Sequence, residues 1–136
     1  MKRKGEMKPA RNEVHVLVID DEPNVRSVLT EALAANGYFV YLADGEKALE
    51  VMNARQYDLI ITDLRMSVSD GLQTLALAKE NSPEAKLILI TGYPSEESLH
   101  VCREMGVARY MVKPFSIPEM RQVAKNVLRG KSATVQ

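Results

Sequence analysis

Short apolar runs, each followed by a turn signal and then by apolar residues at helical spacing, recur five times along the chain. The runs are Val14 to Ile19, Tyr38 to Leu42, Leu59 to Thr62, Lys86 to Ile90 and Ala108 to Val112. Several are apolar throughout instead of alternating with polar residues, which is the pattern of a strand buried on both faces. After the first run, Val25, Val28, Leu29 and Leu33 repeat with a helical period, Pro23 suits a first helical position, and Gly37 stands where a helix would end in a left-handed cap. Asp70 with Gln73, and Ser116 with Glu119, have the spacing of a capping box and predict the starts of the third and fifth helices. Five alternations of strand and helix predict βαβ units with right-handed crossovers, hence a doubly wound parallel sheet with helices on both faces.

Composition narrows the picture. The chain has 136 residues, 46% of them apolar and 26% charged, which suits one globular domain, expected over residues 13–130. A basic, flexible arm (1–12) precedes it and a tail or the start of a linker (131–136) follows. Lysine plus arginine equals aspartate plus glutamate at 18 each, so no large field favours direct contact with nucleic acid or an anionic membrane. Cys102 is the only cysteine, and the basic N-terminus is not followed by the apolar run of a signal peptide, which points to a cytoplasmic setting. No stretch of about 18 apolar residues is long enough to span a membrane.

Function in an open parallel sheet is expected outside the carboxyl ends of the strands. The first run ends in Asp20 and Asp21, the third in Asp63, the fourth in Thr91 with Gly92, and the fifth in Lys113 with Pro114. Three acids brought within a few ångströms repel one another by several kcal/mol per pair at an effective dielectric of ~20, so a cation belongs among them. Carboxylates completed by water and a phosphate suit Mg²⁺ better than a dedicated Ca²⁺ cage.

The motifs "VLVIDDEP", "DLIITDLRMSVSDG", "LILITGY" and "YMVKPF", in this order and spacing, resemble the receiver domain of two-component response regulators over Val14 to about Arg129. The resemblance implies a flavodoxin-like sheet of strand order 2-1-3-4-5 with five helices. It makes Asp63 the acceptor of a phosphoryl group from a histidine kinase or histidine phosphotransfer protein, in a reaction the domain itself assists. It implies Mg²⁺ ligation by Asp21, Asp63 and the backbone carbonyl of Arg65, with Asp20 acting mainly through water. Lys113 and Thr91 would contact phosphoryl oxygens, the rotamer of Tyr110 would follow Thr91, and the Lys113–Pro114 peptide would be cis. The implied consequence is an altered face of helix four, strand five and helix five that controls an output domain or downstream protein, or pairs with a second copy. Two departures stand out: Ser67 replaces the usual proline, and Ala108 with Arg109 replace the acidic residues that in one subgroup bridge a dimer.

Single residues have plainer readings. Asp20 and Asp21 would serve as acidic caps of the first helix, Thr91 as a strand-end hydroxyl, Lys113 as a solvated lysine and Tyr110 as packing; their common position at strand ends promotes them together. His15 reads as a strand residue, His100 as a helix-surface residue and Cys102 as a small buried hydrophobe. A haloacid dehalogenase-type enzyme would need a second acid two residues after its nucleophile, where this chain has Arg65. A flavin binder would need a phosphate loop where Asp20, Asp21 and Glu22 stand. The remaining alternative is an interaction module of the same fold that works without phosphorylation.

Overall fold

The computed structural model describes residues 13–64 and 68–130, with the side chains of residues 68–72 outside the described set. Five strands, β1 (His15–Ile19), β2 (Phe39–Ala43), β3 (Leu59–Asp63), β4 (Lys86–Thr91) and β5 (Arg109–Val112), alternate with α1 (Pro23–Ala35), α2 (Ala48–Ala54), α3 (Val68–Asn81), α4 (Glu96–Met105) and α5 (Ile117–Leu128). All pairings are parallel and the order is β2-β1-β3-β4-β5. This is the doubly wound order that the resemblance implies.

Two-sided burial explains the unbroken apolar runs. On β1, Val16 and Val18 face one cluster with Leu29 and Leu33 of α1 and Val123 and Val127 of α5. Leu17 and Ile19 face the other, with Met52 of α2, Leu75 of α3 and Cys102 of α4. β3 and β4 divide their side chains in the same way, so α1 and α5 cover one face of the sheet and α2, α3 and α4 the other. β2 is an edge strand, and Phe39 and Leu42 on it are exposed.

Local signals set the helix ends. Gly37 adopts a φ of 88° just after α1, a conformation that favours glycine. Ser116 and Glu119 form the reciprocal capping box of α5. The third helix differs from expectation: it begins at Val68, so Asp70 lies in its first turn and not at its cap.

Cys102 is wholly buried, and burial pushes its thiol up to about 11 from an ordinary value of 9.0. Its thiolate fraction at pH 8 is therefore about 100-fold below that of an unfolded chain. Ellman's reagent should label the native protein at least about 100-fold more slowly than the urea-unfolded one; fast native labelling would mean that α4 opens readily.

Candidate functional site

The strand order reverses between β1 and β3, and the crevice at their carboxyl ends holds most of the expected residues. Asp20 follows β1; its side chain is fully buried, and its Oδ1 accepts the Glu22 amide at 2.7 Å. Asp63 ends β3 with its side chain 3% exposed. Thr91 ends β4, is buried, and accepts the Tyr93 amide at 3.0 Å. Lys113 follows β5 before a cis peptide to Pro114, and its amide donates to the Thr91 carbonyl at 2.8 Å.

The Lys113 ammonium joins these strands. Its Nζ lies 3.2 Å from Asp63 Oδ2, 3.3 Å from Asp20 Oδ2 and 2.5 Å from Glu22 Oε1. Burial alone would lower the lysine's pKa, but the Glu22 hydrogen bond and the Asp20 and Asp63 carboxylates outweigh it, and the net shift is upward. The ammonium stays charged at neutral pH. A cavity of about 110 Å³, lined by Glu22, Asp63, Leu64, Gly92, Tyr93 and Lys113, opens at the Asp63 end of the site.

The donors fit a divalent cation. Carboxylate oxygens of Asp20, Glu22 and Asp63 lie within 4.8 Å of one another, all hard oxygen ligands. Three carboxylates against one ammonium leave two negative charges, which a divalent ion would offset. Asp20 Oδ2 is buried and has no hydrogen-bond donor among the described residues, only the ion pair with Lys113. Asp21 stands apart from this triad: it is exposed, and its Oδ1 accepts the Gly45 amide at 2.9 Å. Arg65, whose carbonyl the resemblance implicates, and Ser67 lie outside the described residues.

Tyr110 on β5 is partly buried on the face covered by α4. Its hydroxyl lies 2.6 Å from Ser98 Oγ and accepts the Ser95 amide at 3.3 Å. Ser95 is the N-cap of α4, its side chain accepting from the Ser98 amide. Tyr110 is thus tied to the first turn of α4.

Sequence reasoning missed Glu22 as a member of the cluster and the two serines as partners of Tyr110. Glu22 could have been suspected as a third consecutive acid. Ser95 and Ser98 carry a visible capping spacing, but nothing local couples them to Tyr110. The two histidines lie away from the site: His100 is exposed on α4. His15 begins β1 at the opposite end of the sheet, where its Nδ1 lies 2.9 Å from the Tyr41 hydroxyl. Arg55 donates to the same hydroxyl at 2.8 Å, and His15 Nε2 lies 3.3 Å from Glu13 Oε1.

Residues 16–125 match the family described as response regulator receiver domain, and the chain belongs to that family. It is thereby a regulatory phosphoacceptor domain of two-component systems. It is 29% identical over 118 residues to sporulation initiation phosphotransferase F of Bacillus subtilis (strain 168), covering 86% of this chain and 95% of that protein. It spans about a quarter of the length of several curated transcriptional regulators that it matches at 30–32% identity. Among solved structures, a CheY-like receiver domain protein from Methanospirillum hungatei JF-1 shares the fold with a TM-score of 0.79 at 22% identity, over 88% of this chain and 97% of that one. A response regulator from Burkholderia pseudomallei, solved with a phosphorylated aspartic acid, calcium ion and citrate, matches with a TM-score of 0.71 at 26% identity, over 88% of this chain and 73% of that one. Among the described residues, no helix is long and apolar enough to cross a membrane.

Proposed function

We propose that this receiver accepts a phosphoryl group on Asp63 from a histidine kinase or phosphotransfer protein, and that the change at the α4–β5–α5 face controls an output domain or partner. The observation that carries this reading is the Lys113 ammonium shared between Asp63 and Asp20 at the switch point of the sheet. An Asp63 carboxylate oxygen attacks phosphorus as the phosphorus–nitrogen bond of the donor phosphohistidine breaks, and that electron pair returns to the imidazole. An anion must approach another anion, so the barrier is chiefly electrostatic. Lys113 is already charged and within reach of the transferred oxygens, and Thr91 has a hydroxyl proton to offer another.

Asp20, Asp21, Asp63 and the Arg65 carbonyl would hold Mg²⁺, Asp21 also accepting the Gly45 amide through Oδ1. Bound there, the ion would supply neutralisation of the charge that builds during transfer. The phosphorylated aspartic acid and calcium ion solved with the Burkholderia protein support an Asp-plus-divalent-ion reading. A buried lone cysteine fits a reducing, cytoplasmic compartment.

The test is incubation with acetyl phosphate, with and without Mg²⁺, followed by intact-mass measurement. One phosphoryl adduct per chain, dependent on Mg²⁺, is expected. No adduct from acetyl phosphate or from a phosphohistidine donor would favour the phosphorylation-independent interaction module.

A further inference from the structure

We propose that Glu22 is a positioning residue that holds Lys113 in the resting state and competes with the phosphoryl group for it. The proposal rests on Asp63 being the phosphoacceptor, and it concerns a residue to which that reading assigns nothing.

Glu22 occupies the N-cap position of α1, yet its side chain makes no capping hydrogen bond. It reaches instead to a lysine 91 residues away, at 2.5 Å. The base of that side chain is held in place: the Glu22 amide donates to Asp20 Oδ1, and Pro23 follows at the first helical position. Of the three carboxylates around the ammonium, Glu22 makes the shortest contact, against 3.2 Å for Asp63 and 3.3 Å for Asp20.

Lys113 has three N–H donors; it donates its short hydrogen bond to Glu22 and is ion-paired with Asp20 and Asp63 at 3.3 and 3.2 Å. A phosphoryl oxygen arriving on Asp63 competes with these carboxylates for the ammonium. Asp20 is buried, whereas the Glu22 side chain is 48% exposed and can be solvated on release. Glu22 is therefore the partner that yields. Its carboxylate also lies within 4.8 Å of carboxylate oxygens of Asp20 and Asp63 and lines the same small cavity, so a phosphoryl group carrying nearly two negative charges arrives against its repulsion. Both effects oppose the phosphorylated state; neutralising the carboxylate removes the repulsion and weakens the hold on Lys113 to that of a neutral acceptor.

The experiment compares wild type, Glu22→Gln and Glu22→Asp by titrating beryllofluoride, an acyl-phosphate mimic, at saturating Mg²⁺. The readouts are ¹⁹F NMR of the bound mimic and the ¹⁵N signal of the Lys113 side chain. Glu22→Gln should bind the mimic about fivefold more tightly, the scale of a part-exposed ion pair. Its metal-free Lys113 signal should move toward the bound position, and the gain should shrink at about 1 M salt, where the Debye length is ~3 Å. Glu22→Asp, one methylene too short for the same contact, should fall between. Equal affinities with an unchanged Lys113 signal would overturn the proposal. So would weaker binding by Glu22→Gln, which would make Glu22 a support of the site. Thermal unfolding verifies that the variants fold, as expected for a half-exposed side chain with no capping role. Wild type that binds no mimic would overturn the Asp63 reading and this proposal with it, a failure distinguished by its appearance in the unmutated chain.

Discussion

Asp63→Asn is expected to take up no phosphoryl group from acetyl phosphate, and Mg²⁺ is expected to stop stabilising the fold. Asparagine keeps the shape of the side chain but removes the anionic nucleophile and one of the carboxylates that face one another in this crevice. A ligand that binds only the native state adds RT ln(1 + [L]/Kd), so Mg²⁺ at ten times its dissociation constant adds about 1.4 kcal/mol to the wild type. That is a rise of several degrees in Tm for a domain of this size. The variant should lose nearly all of it. Without metal it should be no less stable than wild type: the Asp63–Lys113 ion pair is lost, but Lys113 keeps Asp20 and Glu22, and the repulsion of Asp63 by both of those carboxylates, each about 4 kcal/mol at ~4 Å and an effective dielectric of ~20, is relieved. Intact mass and thermal melts with and without Mg²⁺ measure both effects. An adduct of wild-type yield in Asp63→Asn would move the acceptor elsewhere.

The parts of this site visible in the sequence are those that the parallel sheet delivers directly. Asp20, Asp63, Thr91 and Lys113 each follow or end an apolar run, and neighbouring parallel strands bring the ends of such runs to one crevice whatever the helices between them do. Glu22 was hidden because its partner is 91 residues away and its local position, ahead of Pro23, reads as a helix cap. The same ambiguity surrounds Asp21, whose charge suggests the metal while its carboxylate accepts the Gly45 amide across the β2–α2 turn. Asp70 shows the reverse error, a capping spacing that falls inside a helix which has already started at Val68. Spacing rules describe what a segment can do alone; strand pairing and helix packing decide which option is taken.

In the wild type, beryllofluoride with Mg²⁺ is expected to shift the resonances of Tyr110 and of the Ser95 and Ser98 amides, and in Thr91→Ala these shifts should largely disappear. Thr91 pairs with Val112 and lies on the same face of β4 as Leu89, the partner of Tyr110, so hydroxyl and ring occupy neighbouring strands under α4. The Thr91 oxygen now accepts the Tyr93 amide, and its proton can turn to a phosphoryl oxygen. That movement draws the hydroxyl inward and leaves room for the Tyr110 ring, which must then give up its bonds to Ser98 Oγ and the Ser95 amide. Those are the bonds that tie β5 to the first turn of α4, so the signal reaches a helix surface without any change in the sheet. A ligand shifts such an equilibrium only by its differential contact with the two states, and about 1 to 3 kcal/mol of coupling, or 5- to 150-fold, is expected. Ser98→Ala offers an independent check. Removing the hydroxyl frees Tyr110 from its 2.6 Å partner, so the metal-free spectrum of this variant should already lie part of the way toward the beryllofluoride-bound one. Equal shifts in Thr91→Ala and wild type would show that the signal bypasses the threonine. A Ser98→Ala spectrum unmoved from wild type would show that the serine does not hold the resting state.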